Sequence, residues 1–360
     1  MQNKGLLFIP DISGFTRFVN ETEIEHSRII IQELLELLIN SNRIGLLVSE
    51  IEGDAILFYK YGELPDLAAL YNQVAEMFCA FHRRIIAYDN HRFCQCVACK
   101  SAIQLTLKVI THYGEFTGYN VHNFQKLIGK DIIVAHQLLK NEIEQHEYWL
   151  VTQGLFPQTD LATLPSWMTW NSSEQQTPTG PVLFQYAQLG QLKHEIPVDP
   201  VLKLDVFSKV KMLSFEQEYE ASIIAVLHAT GDFNYRSQWQ VGVKKVEEVN
   251  HFLPRVGMRC RCIYESGEQR IYSSSYNYTP DHIEYSETDE ESNATTYYTL
   301  EKLGPVRTKL TLEYFIPNNI GSRVFFAWMK KKGVERDFRQ SLINLDQLVK
   351  AIKLPSESVA

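Results

Sequence analysis

Hydrophobic positions in the first half of the chain alternate between helical and strand periods. Residues 6–10 form a short unbroken apolar run ending at Asp11, as a strand buried on both faces does. Across residues 22–39, Ile24, Ile31, Leu34, Leu35 and Leu38 recur at helical spacing along one face. Residues 46–51 and 55–59 read as strands around Glu52-Gly53-Asp54, whose glycine permits a tight turn, so a hairpin is predicted. A second long helix is predicted over 67–86, a strand over 105–112, a helix over 132–144 and a strand over 149–152. Ser172, Ser173, Gln175, Gln176, Thr177, Pro178 and Gly180 predict an exposed loop within 158–180, and a strand pair around 182–193 closes the unit. Alternating strands and helices make an α/β sandwich.

Pro197 and Pro200 then punctuate a linker, and the pattern changes. A strand is predicted near 215–219, short helices through Val226 and Val246, aromatic-rich strands across 258–315 and a long helix over 324–352. That order suits a curved antiparallel sheet and a final helix gripping a central space. No internal repeat links the halves. The expectation is an α+β chain of two domains, 1–195 and 206–355, joined by a linker at 196–205.

Composition narrows the function classes. With 360 residues, 45% apolar and 12% aromatic, the chain has material for two cores, and disorder is excluded. A net charge of −8, from 35 basic and 43 acidic side chains, argues against broad nucleic-acid binding. No apolar run is long enough to span a bilayer, and residues 1–5 lack the features of a secretory signal, so a cytoplasmic protein is expected. Three of the six cysteines crowd into Cys94, Cys96 and Cys99, which fits a reducing compartment better than a disulfide framework.

The candidate chemistry begins at Asp11. Asp11-Ile12-Ser13-Gly14-Phe15-Thr16 places a carboxylate at a strand end, then a glycine, then a helix start; such a turn suits phosphate oxygens and a hard cation. Asp54 on the hairpin tip supplies a second carboxylate. If the strands are neighbours, the pair can hold Mg²⁺ or Mn²⁺ against a triphosphate. Either aspartate alone reads as an ordinary turn residue; together, in this order, they are a specific signal. Cys94, Cys96 and Cys99, with Cys79, His82 or His91, offer a tetrahedral Zn²⁺ set. Small buried thiols, an iron–sulfur cluster or a redox-sensitive group are the other readings. His112 and His122 read as framework histidines, with phosphate approach as the alternative. Lys330-Lys331-Lys332 reads as a solvated run, with an acidic or phosphate partner as the alternative.

These motifs resemble a known family. Residues 11–16 and Gly53-Asp54-Ala55 look like the paired metal-site motifs of class III adenylate and guanylate cyclases. Residues 129–138 are similar to the segment opening that domain's last major helix, and residues 189–193 to its closing strand, whose lysine contacts triphosphate. The likeness covers about residues 4–195. It is nearest to a bacterial family of unknown function that joins this domain to a pocket domain, with a cysteine cluster like that at 94–99. The resemblance implies nucleotide contacts from Ser13, Gly14, Phe15, Thr16, Gly53 and Lys193, metal on Asp11 and Asp54, and a signalling role. Active members build the site between two domains, one giving metal aspartates, the other two base readers, an asparagine and an arginine. Here Glu50 and Lys126 stand at the base-reading positions, Ile133 at the asparagine and Gln137 at the arginine. Isoleucine gives no hydrogen bond and glutamine no charge, and a lost arginine of this kind slows phosphoryl transfer roughly a thousandfold or more.

A metal-dependent nucleotide-binding or sensory protein is therefore expected, with little cyclase activity as a homodimer. The alternatives are an active cyclase, the metal-donating half of a heterodimer, a metal-dependent phosphotransferase, or a carrier of lipid. The last draws on residues 239–246 and 256–260, which resemble the helix-grip domains of lipid-transfer and polyketide-cyclase-like proteins, a likeness covering about 206–353. It implies an apolar small molecule or lipid beneath the final helix, with Phe325, Phe326, Trp328, Phe338, Leu342 and Leu345 as lining or as plain core.

Overall fold

The computed structural model of the protein describes residues 4–22, 24–91, 97–122, 124–155, 163–178, 180–197, 208–248, 256–265 and 267–352. The chain divides into two compact units: residues 1–87 with 101–198, and residues 88–100 with 199–360. The sequence pattern predicts domains of 1–195 and 206–355; the division falls after residue 198, and the short segment 88–100 groups with the second unit.

The first unit carries β1 (Lys4–Ser13), β2 (Leu47–Glu52), β3 (Ala55–Tyr61), β4 (Thr106–Glu115), β7 (Tyr148–Thr152), β8 (Trp170–Thr177) and β9 (Gly180–Gln188) in one sheet, ordered β2-β3-β1-β4-β7-β9-β8. Every neighbouring pair is antiparallel except β4 with β7. β5 (Thr117–Val121) and β6 (Phe124–Ile128) form a separate hairpin. The helices are α1 (Phe15–Glu21), α2 (Ile24–Asn40), α3 (Leu67–His91, its last four residues grouped with the second unit) and α5 (Lys130–Leu138), while α4 (Val97–Ser101) falls almost wholly in the second unit. β1 is central and buried along nearly all its length, as its unbroken apolar run requires. Leu7 and Ile9 pack with Leu57, Ile110 and Leu150 against Ile132, Ala135 and Leu138 of α5. Alternate residues of the strand face the other side, where Phe8 meets Phe58 edge-on.

Three elements differ from expectation in this unit. α1 precedes the predicted helix as a separate turn. α5 stops at Leu138 instead of running to 144, because Asn141 donates from Nδ2 to the Leu138 carbonyl and accepts from the Ile143 amide, closing the helix. The polar stretch expected to be a loop is β8, an edge strand whose serines and glutamines face solvent.

The second unit carries β10 (Lys209–Tyr219), β11 (Val243–Glu248), β12 (Arg259–Tyr264), β13 (Gly267–Thr279), β14 (His282–Asp289), β15 (Thr295–Gly304) and β16 (Arg307–Pro317), ordered β10-β16-β15-β14-β13-β12-β11. This sheet is antiparallel throughout. Its helices are α6 (Ile223–Gly231), α7 (Arg236–Trp239), α8 (Ile320–Phe325) and α9 (Lys331–Ala351), with one π-helical turn, Phe326–Lys330, joining the last two. Residues around Val246, expected to be helical, form β11 at the sheet edge, where a register shift between Val243 and Lys245 lets valines three apart pack on one cluster. Leu342, Leu345, Leu348 and Val349 of α9 seal the core formed by Phe215, Tyr285, Leu300 and Leu312. Among the described residues no helix is long and apolar enough to cross a membrane.

Candidate functional site

The pairing of β1 with β3 sets Asp11 opposite Ala55, and the Ile12 amide donates to the Asp54 carbonyl at 3.0 Å. The strand end and the hairpin tip are thus fastened together, as the paired-aspartate reading requires. The two carboxylates feel each other. Burial raises the Asp11 pKa to about 6, with the Asp54 charge adding to the rise and Lys108 opposing it. Burial also raises Asp54, with its own backbone bond and Lys108 opposing. Ser13 Oγ, two residues from Asp11, is buried without a hydrogen-bond partner. Gly14 and Gly53 hold φ of 89° and 62°, values open to glycine, and they turn the chain at the strand end and hairpin tip. Phe15 and Thr16 open α1, and a Cβ placed on Gly53 would lie 3.6 Å from the Phe15 ring.

Lys108 of β4 carries no signal in the sequence motifs. It pairs with Asp11 of the neighbouring β1, reaches Asp11 Oδ1 at 3.6 Å and donates to the Leu139 carbonyl at 3.1 Å. Its signal was a lone lysine amid the apolar run of β4, since a buried ammonium demands a counter-charge. Tyr148 stands nearby: burial, then the Asp11 charge, lift its hydroxyl to about 12 against the bond from Asn141 Nδ2. A buried and a half-buried carboxylate facing one ammonium leave a deficit of one positive charge. Acceptor oxygens, an unpartnered hydroxyl and that deficit fit a hard divalent cation.

The two base-reading positions of the cyclase pattern also come together. Lys126 of β6 donates to Glu50 Oε2 of β2, and His136 of α5 lies between Glu50 and Glu52, with one ring nitrogen 3.7 Å from each. Glu50, Glu52 and His136 could crowd one ion. Yet the imidazole presents a different nitrogen to each carboxylate, and Lys126 already pairs with Glu50. Ile133 is 51% exposed on α5, a bare apolar side chain at the asparagine position, and Gln137 is half-buried.

The remaining predicted residues have other partners. Lys193 lies in a 3-10 turn, Gly190–Glu195, after the last strand, and bonds Glu147. His82 is packed between Phe78 and Phe81, 3.8 Å from Glu147, and burial, then the Lys193 charge, push its pKa down to about 3. Cys79 Sγ is 3.9 Å from the Leu192 carbonyl, and Cys99 is buried in α4. Cys94, Cys96 and the His91 side chain lie outside the described residues, so the proposed Zn²⁺ set is seen only in part. His112 is a framework histidine: it bridges Thr152 Oγ1 at 2.9 Å and Asp131 Oδ1 at 3.1 Å.

Under α9 the second unit holds a cavity of about 200 Å³ whose wall includes Arg236, Gln240, Glu287, Asp289, Tyr298 and Phe338. Of the side chains expected to line it, Phe338 does, while Leu342 and Leu345 belong to the core. Phe325 and Trp328 do not: only Phe326 turns inward from this stretch, stacking on Tyr314, and its neighbours point to solvent. The wall is not uniformly apolar. Arg236 and Glu287 form a fully buried ion pair, Tyr298 donates to Glu287, and Arg236 Nε and Gln240 Oε1 are buried without partners.

Comparison with known proteins finds likenesses to part of the chain. Residues 31–148 match a family described as a protein of unknown function (DUF2652). Over 120 residues, 33% of this chain and 56% of the relative, the sequence is 29% identical to an uncharacterized protein of Mycobacterium tuberculosis; the match spans about half of that relative's length. Among solved structures, the chain is similar to the adenylyl cyclase CyaB from P. aeruginosa, at 14% identity and a TM-score of 0.36 over 51% of this chain and 93% of that one. It is also similar to the catalytic core of a rhodopsin-guanylyl cyclase, at 14% identity and 0.38 over 52% and 96%, and to the guanylyl cyclase Cya2, at 13% and 0.35 over 51% and 91%.

Proposed function

We propose that the first unit is a divergent cyclase-like domain that binds a nucleoside triphosphate through Mg²⁺ or Mn²⁺ and serves regulation, without self-sufficient cyclase activity. The observation that carries this reading is the meeting of Asp11 and Asp54 beside the unpartnered Ser13 hydroxyl. Asp11 and Asp54 would hold the ion, Ser13 and the turn at Gly14 would face phosphate, and Lys108 would share the charge. The cation neutralises phosphate oxygens; the chain's own contribution is a fixed, partly dehydrated pair of carboxylates. Against turnover, Ile133 and Gln137 offer no charge to developing equatorial oxygens.

A second copy of the chain is the expected partner. Leu47, Val48 and Ile51 stand exposed on β2, and an apolar groove of about 460 Å³ runs beside them, lined by Phe15, Val19, Ile24, Ile31, Leu35 and Ile51. In the second unit, the buried Arg236–Glu287 pair favours a small ligand with hydrogen-bonding groups over a lipid, since a hydrocarbon would leave Arg236 Nε and Gln240 Oε1 unpaired.

Calorimetry with ATP and GTP in Mn²⁺ tests the first reading. Heat and a thermal upshift are expected, both absent in Asp11→Ala; silence for every nucleotide would sink it. Mass spectrometry after incubation with the four ribonucleotides and Mn²⁺ addresses catalysis. A product that depends on Asp11 would overturn the regulatory reading in favour of an enzyme.

A further inference from the structure

The stretch from the end of β16 to the start of α9 is built inside out. Phe326 alone turns inward, its ring stacked on Tyr314 at 5.5 Å. Around that peg, Ile320 is 82% exposed, Trp328 89% and Met329 74%, with Val324 and Phe325 also facing water. Ile320, Val324 and Trp328 follow one another at i, i+4 and i+8 along one helix face, flanked by Phe325 and Met329. Soluble proteins seldom gather that much apolar surface without a use for it.

Charge says what covers it. Arg323, Lys330, Lys331 and Lys332 are all exposed, and residues 318–334 contain no aspartate or glutamate, in a chain whose net charge is −8. Lys330 Nζ sits 5.4 Å from the centre of the Phe325 ring, so basic and apolar groups are interleaved. A second copy docking face to face would set four positive charges against four, which opposes self-association. An anionic surface with an oily interior complements both features. Tryptophan settles at the boundary between headgroups and hydrocarbon, and lysine stems lie along that boundary with their ammonium groups among phosphates.

We propose that α8 and the π-helical turn form a peripheral docking surface for anionic phospholipid bilayers, with Trp328 and Met329 entering the headgroup boundary and Lys330–Lys332 meeting lipid phosphates. The contact is peripheral, made by this surface alone.

The test is cosedimentation of the full chain with vesicles of phosphatidylcholine alone and of phosphatidylcholine mixed with phosphatidylglycerol. Binding is expected only to the mixture, falling with added salt. Replacing the three lysines (Lys330→Ala, Lys331→Ala, Lys332→Ala) should weaken it on the order of a hundredfold. Trp328→Ser should weaken it too and remove the blue shift of tryptophan emission that vesicles induce. Both variants change exposed side chains, and unchanged circular dichroism checks their fold. Equal binding to both vesicle types, no binding to either, or full binding by Trp328→Ser would overturn the proposal. So would concentration-dependent self-association that Trp328→Ser abolishes, because the patch would then be covered by a second copy.

Discussion

Asp11 carries two demands that pull in opposite directions. Its pKa is raised from 3.8 to about 6, so between those values the folded chain holds a proton that the unfolded chain has released. Stability therefore falls as pH rises through that window and stays lower above it, by roughly 3 kcal/mol at most. Asp11→Asn should remove that slope and make the metal-free protein roughly 1–3 kcal/mol more stable at pH 7.5, while abolishing Mn²⁺ binding; urea titrations at pH 4.5 and 7.5 check it. Lys108→Met should split the same way. Without its ammonium the carboxylate pair is left unmatched, destabilising the metal-free chain by about 3 kcal/mol, yet Mn²⁺ should bind more tightly because no resident charge competes. An unchanged Mn²⁺ affinity would mean that Lys108 lies outside the cation's reach. Asp11 and Asp54 were legible in the sequence because a carboxylate ending an apolar run, and another on a glycine hairpin, announce themselves locally. Lys108 was not, because its meaning lies in the cross-strand register that sets it opposite Asp11.

Elements whose signal is local were readable, and those defined by neighbours were not. β1, the β2–β3 hairpin and the long helices follow from period and a turn glycine. The polar residues of β8 predict a loop, but a strand at a sheet edge needs only one partner for its backbone and can keep its side chains wet. The apolar pattern of α5 predicts a longer helix because it continues past the point where Asn141 caps it. The same helix shows how tightly one element is fitted to another. A Cβ on Gly114 of β4 would fall 2.3 Å from Asp131 Cγ, in the first turn of α5, and Asp131 accepts from the Glu115 amide at 2.6 Å and meets His112. Gly114→Ala should push the carboxylate away, break both bonds and destabilise the fold by about 2–4 kcal/mol. A melting temperature within a degree of the parent would show that the helix yields without strain.

Each of the two compact units owns a core, so scanning calorimetry of the whole molecule should resolve two transitions. Glu287→Gln strands the buried Arg236 charge and should lower one of them, by about 3–5 kcal/mol, while Asp11→Asn moves the other. A single transition shifted by both would show the cores melting as one. The change of pattern near Pro197 predicts two domains, and nothing in the composition of residues 88–100 predicts their grouping with the second unit. The first sheet also has unlike rims. At one, β2 shows leucine, valine and isoleucine to water; at the other, β8 shows serine, glutamate and glutamine. A ribbon whose two sides were both sticky could add copies without limit. If a second copy docks on β2 as proposed, the polar β8 rim offers it no matching apolar side, and such an assembly would stop at a closed pair.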